Sequence, residues 1–477
     1  MNHTRIRAIE LPSTLEWFNT PEPINIADQR GKVVLLDFWT YCCINCLHVL
    51  PDLAYLEQKF PDSLTVIGLH SPKFPNERVA KQLQKAINRY DIRHPVAHDS
   101  AFTVWKSYGI RAWPSIILID PEGYVIGVLN GEGRRTQLNN LIAQHLEDAT
   151  RKGRRVHSPM AIALQPEPKL PLKFPGKIHA SADHLYVSDT GHHRVLEMDW
   201  TGKILRRLGS GIPGMSDGVG ENAQFYSPQG LVKVGRKLYV ADTQNHALRC
   251  IDLPSEQVDT IAGSGEHGRY VGTFFKNPLQ VALNSPWDLT VHNGILYIAM
   301  AGQHQIWSMD LTSQTIGVLA GSGREDIIDG TPKVSAFAQP SGITLGKGVL
   351  YIADSETSAV RCIDLQDAKT TTLVGRGLFV FGDQDGLGTQ ARLQHVLGVA
   401  WDERHQGIWV ADTYNSKIKW INATYNQVVH HEIGYPLDEP GGISLYKDTL
   451  WIANTNAHQI LRYDISKNEC SPIKITG

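Results

Sequence analysis

The pentapeptide Leu238-Tyr-Val-Ala-Asp242 is one of six related copies that recur at intervals of 42 to 58 residues. Each interval holds several short β-rich stretches, and one small sheet of this size cannot bury both of its faces alone. Such units must stack on their neighbours, so six copies predict a closed ring of six blades, a β-propeller. The other copies are Leu185-Tyr-Val-Ser-Asp189, Leu296-Tyr-Ile-Ala-Met300, Leu350-Tyr-Ile-Ala-Asp354, Ile408-Trp-Val-Ala-Asp412 and Leu450-Trp-Ile-Ala-Asn454.

Two further features accompany the pentapeptide. A proline lies ten residues before five of the copies, and the fifth copy instead has Leu397 eleven residues before it. Asp-Gly turns at 217–218, 329–330 and 385–386 each precede an apolar residue by eight positions. This pattern resembles NHL repeats, and the resemblance implies an all-β, six-bladed NHL-type propeller over residues 172–477. The prolines are Pro175, Pro228, Pro286, Pro340 and Pro440.

The first 150 residues alternate apolar runs with helical patterns. Strands are expected at 33–38, 64–69, 116–119 and 125–129, and helices at 46–60, at 77–90 and from residue 136. This alternation predicts an α/β domain with a mostly parallel sheet. A basic run at 151–157 and a proline-rich run at 165–171 then suit exposed, extended backbone. We therefore expect an α/β domain at 1–150, a linker at 151–171 and the propeller at 172–477.

The run from Val33 to Cys46 indicates a buried strand, a short loop and the start of a helix. A cysteine at a helix N-terminus lies among unpaired N–H groups at the positive end of the dipole, which favours its thiolate. Cys43 is therefore the expected nucleophile. Two intervening residues place Cys46 one turn along the same face, where it can attack a mixed disulfide at Cys43. Cys46 is the expected resolving thiol.

The surroundings of this pair resemble the thioredoxin superfamily in several places. The resemblance implies a thioredoxin-like domain in which Asp37 is a buried carboxylate that assists proton transfer to the resolving thiol. It also implies that Pro114 is a cis-proline that faces the dithiol, restrains bound substrate and helps to exclude metal. The matching residues are Asp37-Phe38-Trp39 before the motif, Pro51 after it, and Trp113-Pro114 near a later strand.

The combination of Cys42-Cys-Ile-Asn-Cys46 with NHL repeats resembles the NHL repeat-containing protein 2 family over nearly the whole chain. The function this implies is thiol-disulfide oxidoreduction, with the propeller binding a partner or substrate. We expect protein thiols or disulfides as substrates, a separate reductant, a protein partner on the propeller face, and no cofactor. Cys42 stands where thioredoxins have tryptophan, and Ile44-Asn45 replaces Gly-Pro. Reductase, oxidase and isomerase activities therefore stay open, and Cys42 is a possible auxiliary thiol.

Composition and charge limit the classes of partner and the cellular location that we expect. The chain has 477 residues, 42% hydrophobic and 20% charged, with a formal net charge of -2. This charge provides no global field for nucleic acid or an anionic membrane. No apolar run long enough for a signal peptide follows the first seven residues, and no apolar run elsewhere approaches the roughly 20 residues of a membrane span. Three of six cysteines cluster at 42, 43 and 46, unlike a secreted disulfide framework. We expect a cytoplasmic protein without a membrane segment.

Four alternatives remain beside this interpretation. Cys42, Cys43, Cys46 and His48 have a spacing that can bind zinc. The first domain could instead be inactive, so that the protein is a scaffold that uses its propeller. The propeller could hydrolyse lactones with calcium, which would require carboxylates that differ between blades and converge on the axis. Finally, the propeller could only bind protein or RNA, with a contribution from the basic residues of 151–155.

The polar residues of the repeat have a structural interpretation. Asp189, Asp242, Asp354 and Asp412 are each followed by Thr or Ser. An Asp that ends a strand can accept hydrogen bonds from the backbone of the next turn, so we expect acceptors here and no metal ring. Met300 replaces such an acceptor in the third copy. Cys250 and Cys362 share one repeat position and are expected to be inert strand residues.

Overall fold

The computed structural model describes residues 5–268 and 274–477. The first four residues, part of the N-terminal stretch in which no signal sequence was expected, lie outside the described residues. The chain divides into two compact units, Met1–Pro168 and Lys169–Gly477. Each unit is built around its own sheet or set of sheets.

The first unit is an α/β domain with one six-stranded sheet. Its strand order is β1-β4-β3-β2-β5-β6 once the strands are numbered along the chain. The elements are β1 (Glu16–Phe18), β2 (Val33–Trp39), α1 (Ile44–Lys59), β3 (Leu64–His70), α2 (Ala80–Arg89), β4 (Val96–His98), α3 (Thr103–Ser107), β5 (Ser115–Ile119), β6 (Val125–Asn130) and α4 (Arg135–Arg151).

The sheet is mixed, and the expectation of a mostly parallel sheet is wrong. β2 pairs in parallel with β3, and β3 with β4, but β1, β5 and β6 pair antiparallel with their neighbours. β6 is antiparallel to β5 because the turn between Ile119 and Val125 is short, and a turn of this length can join only antiparallel strands. The parallel centre still places the carboxyl ends of β2, β3 and β4 at one edge.

Every residue of β2 is buried, and its two faces pack against different layers. Val33 and Leu35 pack with residues of α1 and α4, whereas Leu36 and Phe38 pack on the other face. Because side chains alternate along a strand, Asp37 shares the face of Val33 and Leu35. The carboxyl group therefore lies on the side of the sheet that α1 covers.

Two helices differ from their predicted bounds. α1 begins at Ile44 rather than at residue 46, because Cys43 already has the extended backbone of a residue that precedes a helix. The helix expected at 77–90 is divided into a 3-10 turn at Pro75–Arg78 and α2. The division places Glu77 inside the turn, where its side chain is fully buried.

Residues 154–167, which the sequence analysis assigned to the linker, lie along the first unit. Backbone hydrogen bonds hold this segment at three points, and Met160 packs against the apolar face of the sheet that lies away from α1. Its contacts explain why the division between units falls after Pro168. The three bonds run from Val156 N to Gly31 O (3.0 Å), from Ser158 N to Asp62 O (2.9 Å) and from Ala163 N to Asn19 O (3.0 Å).

The second unit is a six-bladed propeller, as the repeats predicted. Each pentapeptide forms the second strand of a four-stranded antiparallel core, and three blades carry a short additional strand. The first three blades contain β7 (Ile178–Ala180), β8 (His184–Asp189), β9 (Arg194–Asp199) and β10 (Ile204–Leu208); β11 (Gly218–Val219), β12 (Pro228–Val234), β13 (Lys237–Asp242), β14 (Ala247–Asp252) and β15 (Gln257–Ala262); and β16 (Phe274–Phe275), β17 (Pro286–His292), β18 (Ile295–Met300), β19 (Gln305–Asp310) and β20 (Thr315–Ala320).

The remaining blades repeat this arrangement with the same strand order. Blades four and six have four strands, and blade five has the additional one. They contain β21 (Pro340–Gly346), β22 (Val349–Asp354), β23 (Ala359–Asp364) and β24 (Thr370–Val374); β25 (Gly386–Leu387), β26 (Gly398–Asp402), β27 (Gly407–Asp412), β28 (Lys417–Asn422) and β29 (Gln427–His430); and β30 (Pro440–Tyr446), β31 (Thr449–Asn454), β32 (Gln459–Asp464) and β33 (Glu469–Pro472).

One hydrogen bond recurs at all six junctions between blades. A histidine or serine after the second strand accepts the backbone N–H of a residue that leads into the next blade, at 3.0 to 3.3 Å. The last copy joins Phe174 N to His458 Nδ1 and closes the ring from blade six to blade one. The six acceptors are His193, His246, His304, Ser358, Ser416 and His458.

Two other contacts complete the closure of the ring. Thr455 Oγ1 donates to Pro175 O at 2.9 Å, as the threonine after a pentapeptide also does in blades one, two and five. Near the end of the described chain, Thr476 O accepts from Ile204 N (2.8 Å) and Thr476 N donates to Gly202 O (3.0 Å). The last residues therefore pair with the outer strand of the first blade.

The repeated aspartates are hydrogen-bond acceptors, but their partners differ from the expected ones. Asp242 Oδ1 accepts the backbone N–H of Tyr226 at 2.8 Å, sixteen residues earlier, and not that of the following turn. Three other copies keep this spacing, and Asp412 accepts from Gln394, eighteen residues earlier. Buried Arg249 and Arg361 add ion pairs in blades two and four. In blade three, where Met300 lacks an acceptor, the Asn284 amide donates to Gly302 O instead.

Candidate dithiol site

The loop after β2 presents one accessible thiol and one buried thiol. Cys43 precedes α1, and its carbonyl oxygen accepts the backbone N–H groups of Cys46 (3.1 Å) and Leu47 (3.2 Å). The Cys43 side chain is partly exposed, whereas Cys46 is fully buried. A substrate from solvent can therefore reach the Cys43 sulfur before it reaches that of Cys46.

The Cys43 thiol influences the titration of Cys46. Burial raises the pKa of the Cys46 thiol well above its ordinary value, and the neighbouring Cys43 thiol raises it further. A thiol held in this way is a poor nucleophile until a nearby base removes its proton. The site must therefore supply a proton acceptor next to Cys46.

Asp37 is the carboxyl group that interacts with Cys46 from the sheet. It lies in β2 opposite Gly68 of β3 and Ile116 of β5, and its side chain is fully buried. Neither carboxylate oxygen has a hydrogen-bond partner among the described residues. Burial raises the pKa of Asp37 from 3.8 to about 7, although the charge of His94 partly opposes this rise. The group can therefore exchange a proton near neutral pH.

Glu77 organises the loop that carries the cysteines, and the sequence analysis did not identify it. Its carboxylate accepts hydrogen bonds from Thr40 Oγ1 (2.8 Å) and from the backbone N–H groups of Cys42 (3.0 Å), Lys73 (2.7 Å) and Phe74 (2.9 Å). The carboxylate thus joins the loop after β2 to the loop after β3. The sequence placed Glu77 at the start of a helix and gave no signal for this role.

Cys42 lies against the same carboxylate through its backbone. Its side chain is buried, and its sulfur is 3.7 Å from Thr40 Oγ1. The possible auxiliary thiol is therefore less accessible than Cys43.

Pro114 comes directly before β5, and the Trp113–Pro114 peptide bond is cis. Ser115 pairs with Phe38, so Pro114 lies beside the end of β2 from which the cysteine loop departs. The Trp113 ring packs against Trp105, with 4.6 Å between ring centroids. The proline and the dithiol thus occupy the same edge of the sheet.

The four residues of the zinc alternative do not act as one ligand set in the described part of the chain. His48 Nδ1 lies 2.5 Å from Glu132 Oε2. No three ligand atoms that include a sulfur of Cys42, Cys43 or Cys46 lie within 4.8 Å of one another among the described residues.

A buried ion pair crosses the centre of the propeller. Lys177 of blade one reaches Asp288 of blade three, with 3.2 Å between Nζ and Oδ2, and also donates to Ser341 O (2.8 Å) and to Leu397 O. Burial lowers the pKa of Lys177 and raises that of Asp288. Asp288 is an axial carboxylate that is not part of the repeated pentapeptide, and it is therefore already paired with a cation, Lys177.

The remaining cysteines lie in the propeller. Cys250 and Cys362 occupy the third strand of their blades, as predicted. Burial raises the pKa of Cys250 to about 11, which keeps its thiol protonated and unreactive at neutral pH.

No helix in the described ranges is both long enough and apolar enough to cross a membrane.

Comparisons with known proteins match both units. A sequence model of the Thioredoxin-like family matches residues 31–125. NHL repeat-containing protein 2 of Homo sapiens is 38% identical over 517 residues, which cover 98% of this chain and 71% of that protein. Protein SUPPRESSOR OF QUENCHING 1, chloroplastic, of Arabidopsis thaliana is 42% identical over 499 residues, 97% of this chain but only 47% of that protein. Thiol-disulfide oxidoreductase ResA of Bacillus cereus is 29% identical over 120 residues, 25% of this chain and 66% of that protein.

The fold and the site together define a two-domain protein in which a thioredoxin-like domain precedes a six-bladed NHL-type propeller. The extent of the match to the human relative identifies the particular group: the chain belongs to the NHL repeat-containing protein 2 family. It spans about half the length of the plant relative.

Proposed function

We propose that this protein is a thiol-disulfide oxidoreductase in which Cys43 attacks and Cys46 resolves. The observation that carries the proposal is an accessible thiol next to a buried thiol and near Asp37, a buried carboxyl group that can exchange a proton near neutral pH. The relative ResA bears the name thiol-disulfide oxidoreductase and matches this part of the chain.

The reaction begins when the Cys43 thiolate attacks a protein disulfide. A bond forms between Cys43 and one substrate sulfur, the substrate S–S bond breaks, and the other substrate sulfur leaves as a thiolate. Asp37 then takes the proton of Cys46, and the Cys46 thiolate attacks Cys43. This step forms the Cys43–Cys46 disulfide and releases the second substrate thiolate; both released thiolates take protons from water. An external dithiol returns two electrons and restores the enzyme.

Other residues of the site have supporting roles in this proposal. Pro114 restrains the substrate chain beside Cys43, and Glu77 holds the loop in position. Cys42 is an auxiliary thiol that can compete for the mixed disulfide when it becomes exposed. No cofactor takes part in these steps.

The propeller binds the protein substrate or a protein partner through its exposed loops. The pairing of Asp288 with Lys177 argues against calcium-dependent hydrolysis, because the axial carboxylate already balances a buried cation. A cytoplasmic location stays a prediction, which fractionation of cells that produce the tagged protein would test.

Trapping of substrates by the full-length Cys46→Ser variant tests the function. A serine hydroxyl cannot displace sulfur at neutral pH, so client proteins should remain attached to Cys43 and be released by dithiothreitol. Cys43→Ser should abolish both trapping and the reduction of insulin disulfides. Cys42→Ser is the matched control and should keep most of the turnover.

The same variants separate the alternatives. Zinc in the wild type that is lost in all three variants would support a metal site. If Cys46→Ser traps nothing and the wild type shows no dithiol exchange, the oxidoreductase proposal is wrong, and equal partner binding by all variants would then support a scaffold.

A further inference from the structure

Two buried polar side chains lie directly against Gly68, on the face of the sheet that also carries Asp37. A Cβ atom at Gly68 would lie 3.0 Å from Trp39 Nε1 and 3.2 Å from His94 Nε2. Gly68 pairs with Asp37 across the parallel strands, so a side chain at either position points to the same face. Trp39 Nε1, His94 Nε2 and both Asp37 oxygens have no hydrogen-bond partner among the described residues.

Buried polar atoms in proteins are rarely left without a partner. A small space lined by several such atoms is a typical site for an internal water, which makes two to four hydrogen bonds. A carboxyl group, an indole N–H and an imidazole nitrogen thus share one face of the sheet near Gly68. One water between them would satisfy groups that do not reach each other directly.

His94 links this space to the protein surface. Its other ring nitrogen, Nδ1, lies 3.3 Å from Glu57 Oε2 on α1. The His94 side chain is 4% exposed, whereas that of Glu57 is 31% exposed. An imidazole can accept a proton at one nitrogen and release a proton from the other. His94 therefore spans the distance between a buried acid and an acid in contact with solvent.

We propose that His94 and Glu57 extend Asp37 into a proton route from the Cys46 thiol to solvent, and that the absence of a side chain at Gly68 lets the His94 ring approach Asp37 closely enough for one water to bridge them. The inference rests on the proposed function, because it explains how that reaction disposes of its proton. His94 acts through Asp37 and is a positioning and relay residue rather than one that touches substrate.

The route moves one proton in each resolving step. Cys46 S–H gives its proton to the Asp37 carboxylate, and the thiolate attacks Cys43. The Asp37 carboxylic acid passes the proton through the water to His94 Nε2, and the proton on His94 Nδ1 passes to Glu57 and then to bulk water. The titratable groups that face this route are Cys43 before α1, Cys46 and Glu57 of α1, Asp37 of β2, His70 of β3, and His94 before β4.

Dithiobis(nitrobenzoate) is an aromatic disulfide that releases a coloured thiolate. In the full-length protein it can separate the attack by Cys43 from the displacement by Cys46. The first release reports attack by Cys43, and the second reports displacement by Cys46. The variant that carries both Cys43→Ser and Cys46→Ser gives the release that arises from the other cysteines, which is subtracted. Stopped-flow absorbance from pH 5 to pH 9 then gives a rate and a pH midpoint for each step.

In His94→Gln we expect an unchanged first release and a second release slowed on the order of tenfold or more at pH 7. The midpoint of the second release should move to higher pH, because His94 lowers the pKa of Asp37 in the wild type. Gly68→Ala should slow the second release with every titratable group retained. His98→Gln is the control, since it alters another buried histidine of the same sheet.

The outcomes distinguish the two proposals. If His94→Gln or Gly68→Ala folds and keeps the wild-type rate and midpoint of the second release, the route is wrong while the oxidoreductase function stands. A wild-type protein with no second release would overturn the proposed function and the route with it. Should His94→Gln fail to fold, Glu57→Gln tests the same route from its solvent end.

Discussion

The carboxylate of Glu77 accepts the backbone N–H of Cys42 at 3.0 Å, so a buried acid fixes the residue before the proposed nucleophile. Glu77→Gln replaces one of the two acceptor oxygens with an NH₂ group that faces backbone N–H donors. We expect the free energy of unfolding to fall by about 2–3 kcal/mol, because buried donors lose their partner. Urea unfolding measures this change, and Glu147→Gln on the exposed face of α4 is the control. Equal stability of the two variants would contradict this role.

Asp37 should make the stability of the protein depend on pH. Its pKa in the folded state is about 7, above the ordinary 3.8, so its contribution is fully present below pH 3.8 and is lost as the pH rises to about 7. Asp37→Asn removes this loss. Since one pKa unit corresponds to about 1.4 kcal/mol, the variant should gain roughly 4 kcal/mol relative to the wild type between pH 4 and pH 8. Urea unfolding at both pH values checks the sign, and a constant difference would refute it.

The junctions between blades should weaken in acid. His193, His246, His304 and His458 accept N–H groups at Nδ1, and an imidazole that takes up a proton at Nδ1 can no longer accept there. Ser358 and Ser416 make the same bond without titrating. Replacing all four histidines by serine should therefore preserve about 2–4 kcal/mol more stability between pH 7 and pH 5 than the wild type retains. Thermal unfolding at the two pH values tests this, and an equal loss in both proteins would refute it.

The axial pair should show strong coupling. Lys177→Met leaves the buried Asp288 carboxylate without its cation and should cost about 3–5 kcal/mol of the free energy of unfolding. Lys177→Met combined with Asp288→Asn removes both charges and keeps an acceptor for the Ile343 N–H, so it should cost less than half as much. A double-mutant cycle by urea unfolding measures this coupling. Additive losses would show that the two side chains act independently.

The sequence predicted those parts of the fold that depend on local patterns. The six pentapeptides became the second strands, and the strand-loop-helix run placed Cys43 directly before α1. The aspartates were correctly expected to be acceptors. Their partner lies sixteen or eighteen residues earlier because the first two strands of a blade form a hairpin, which brings the start of one strand beside the end of the other.

The contacts that were missed join residues that are distant in sequence. Glu77 and His94 reach the end of β2 and the Asp37 face only because β2, β3 and β4 lie side by side in the sheet. No periodicity in the sequence signals such a meeting. Lys177 and Asp288 did leave a signal: blades four, five and six have glycine at the position that Asp288 occupies in its blade. A comparison of the first strands position by position would have found both charges.

The pairing of Thr476 with Ile204 sets the order in which a newly made chain can reach its final structure. The outer strand of the first blade leaves the ribosome long before the residues that cover it. During this interval its N–H and C=O groups can pair with other strand edges, including those of neighbouring nascent chains. The first unit can fold as soon as it emerges, whereas the ring closes only when synthesis has passed residue 476. Until the residues around Thr476 have been made, this edge of the first blade is therefore open to pairing with other chains.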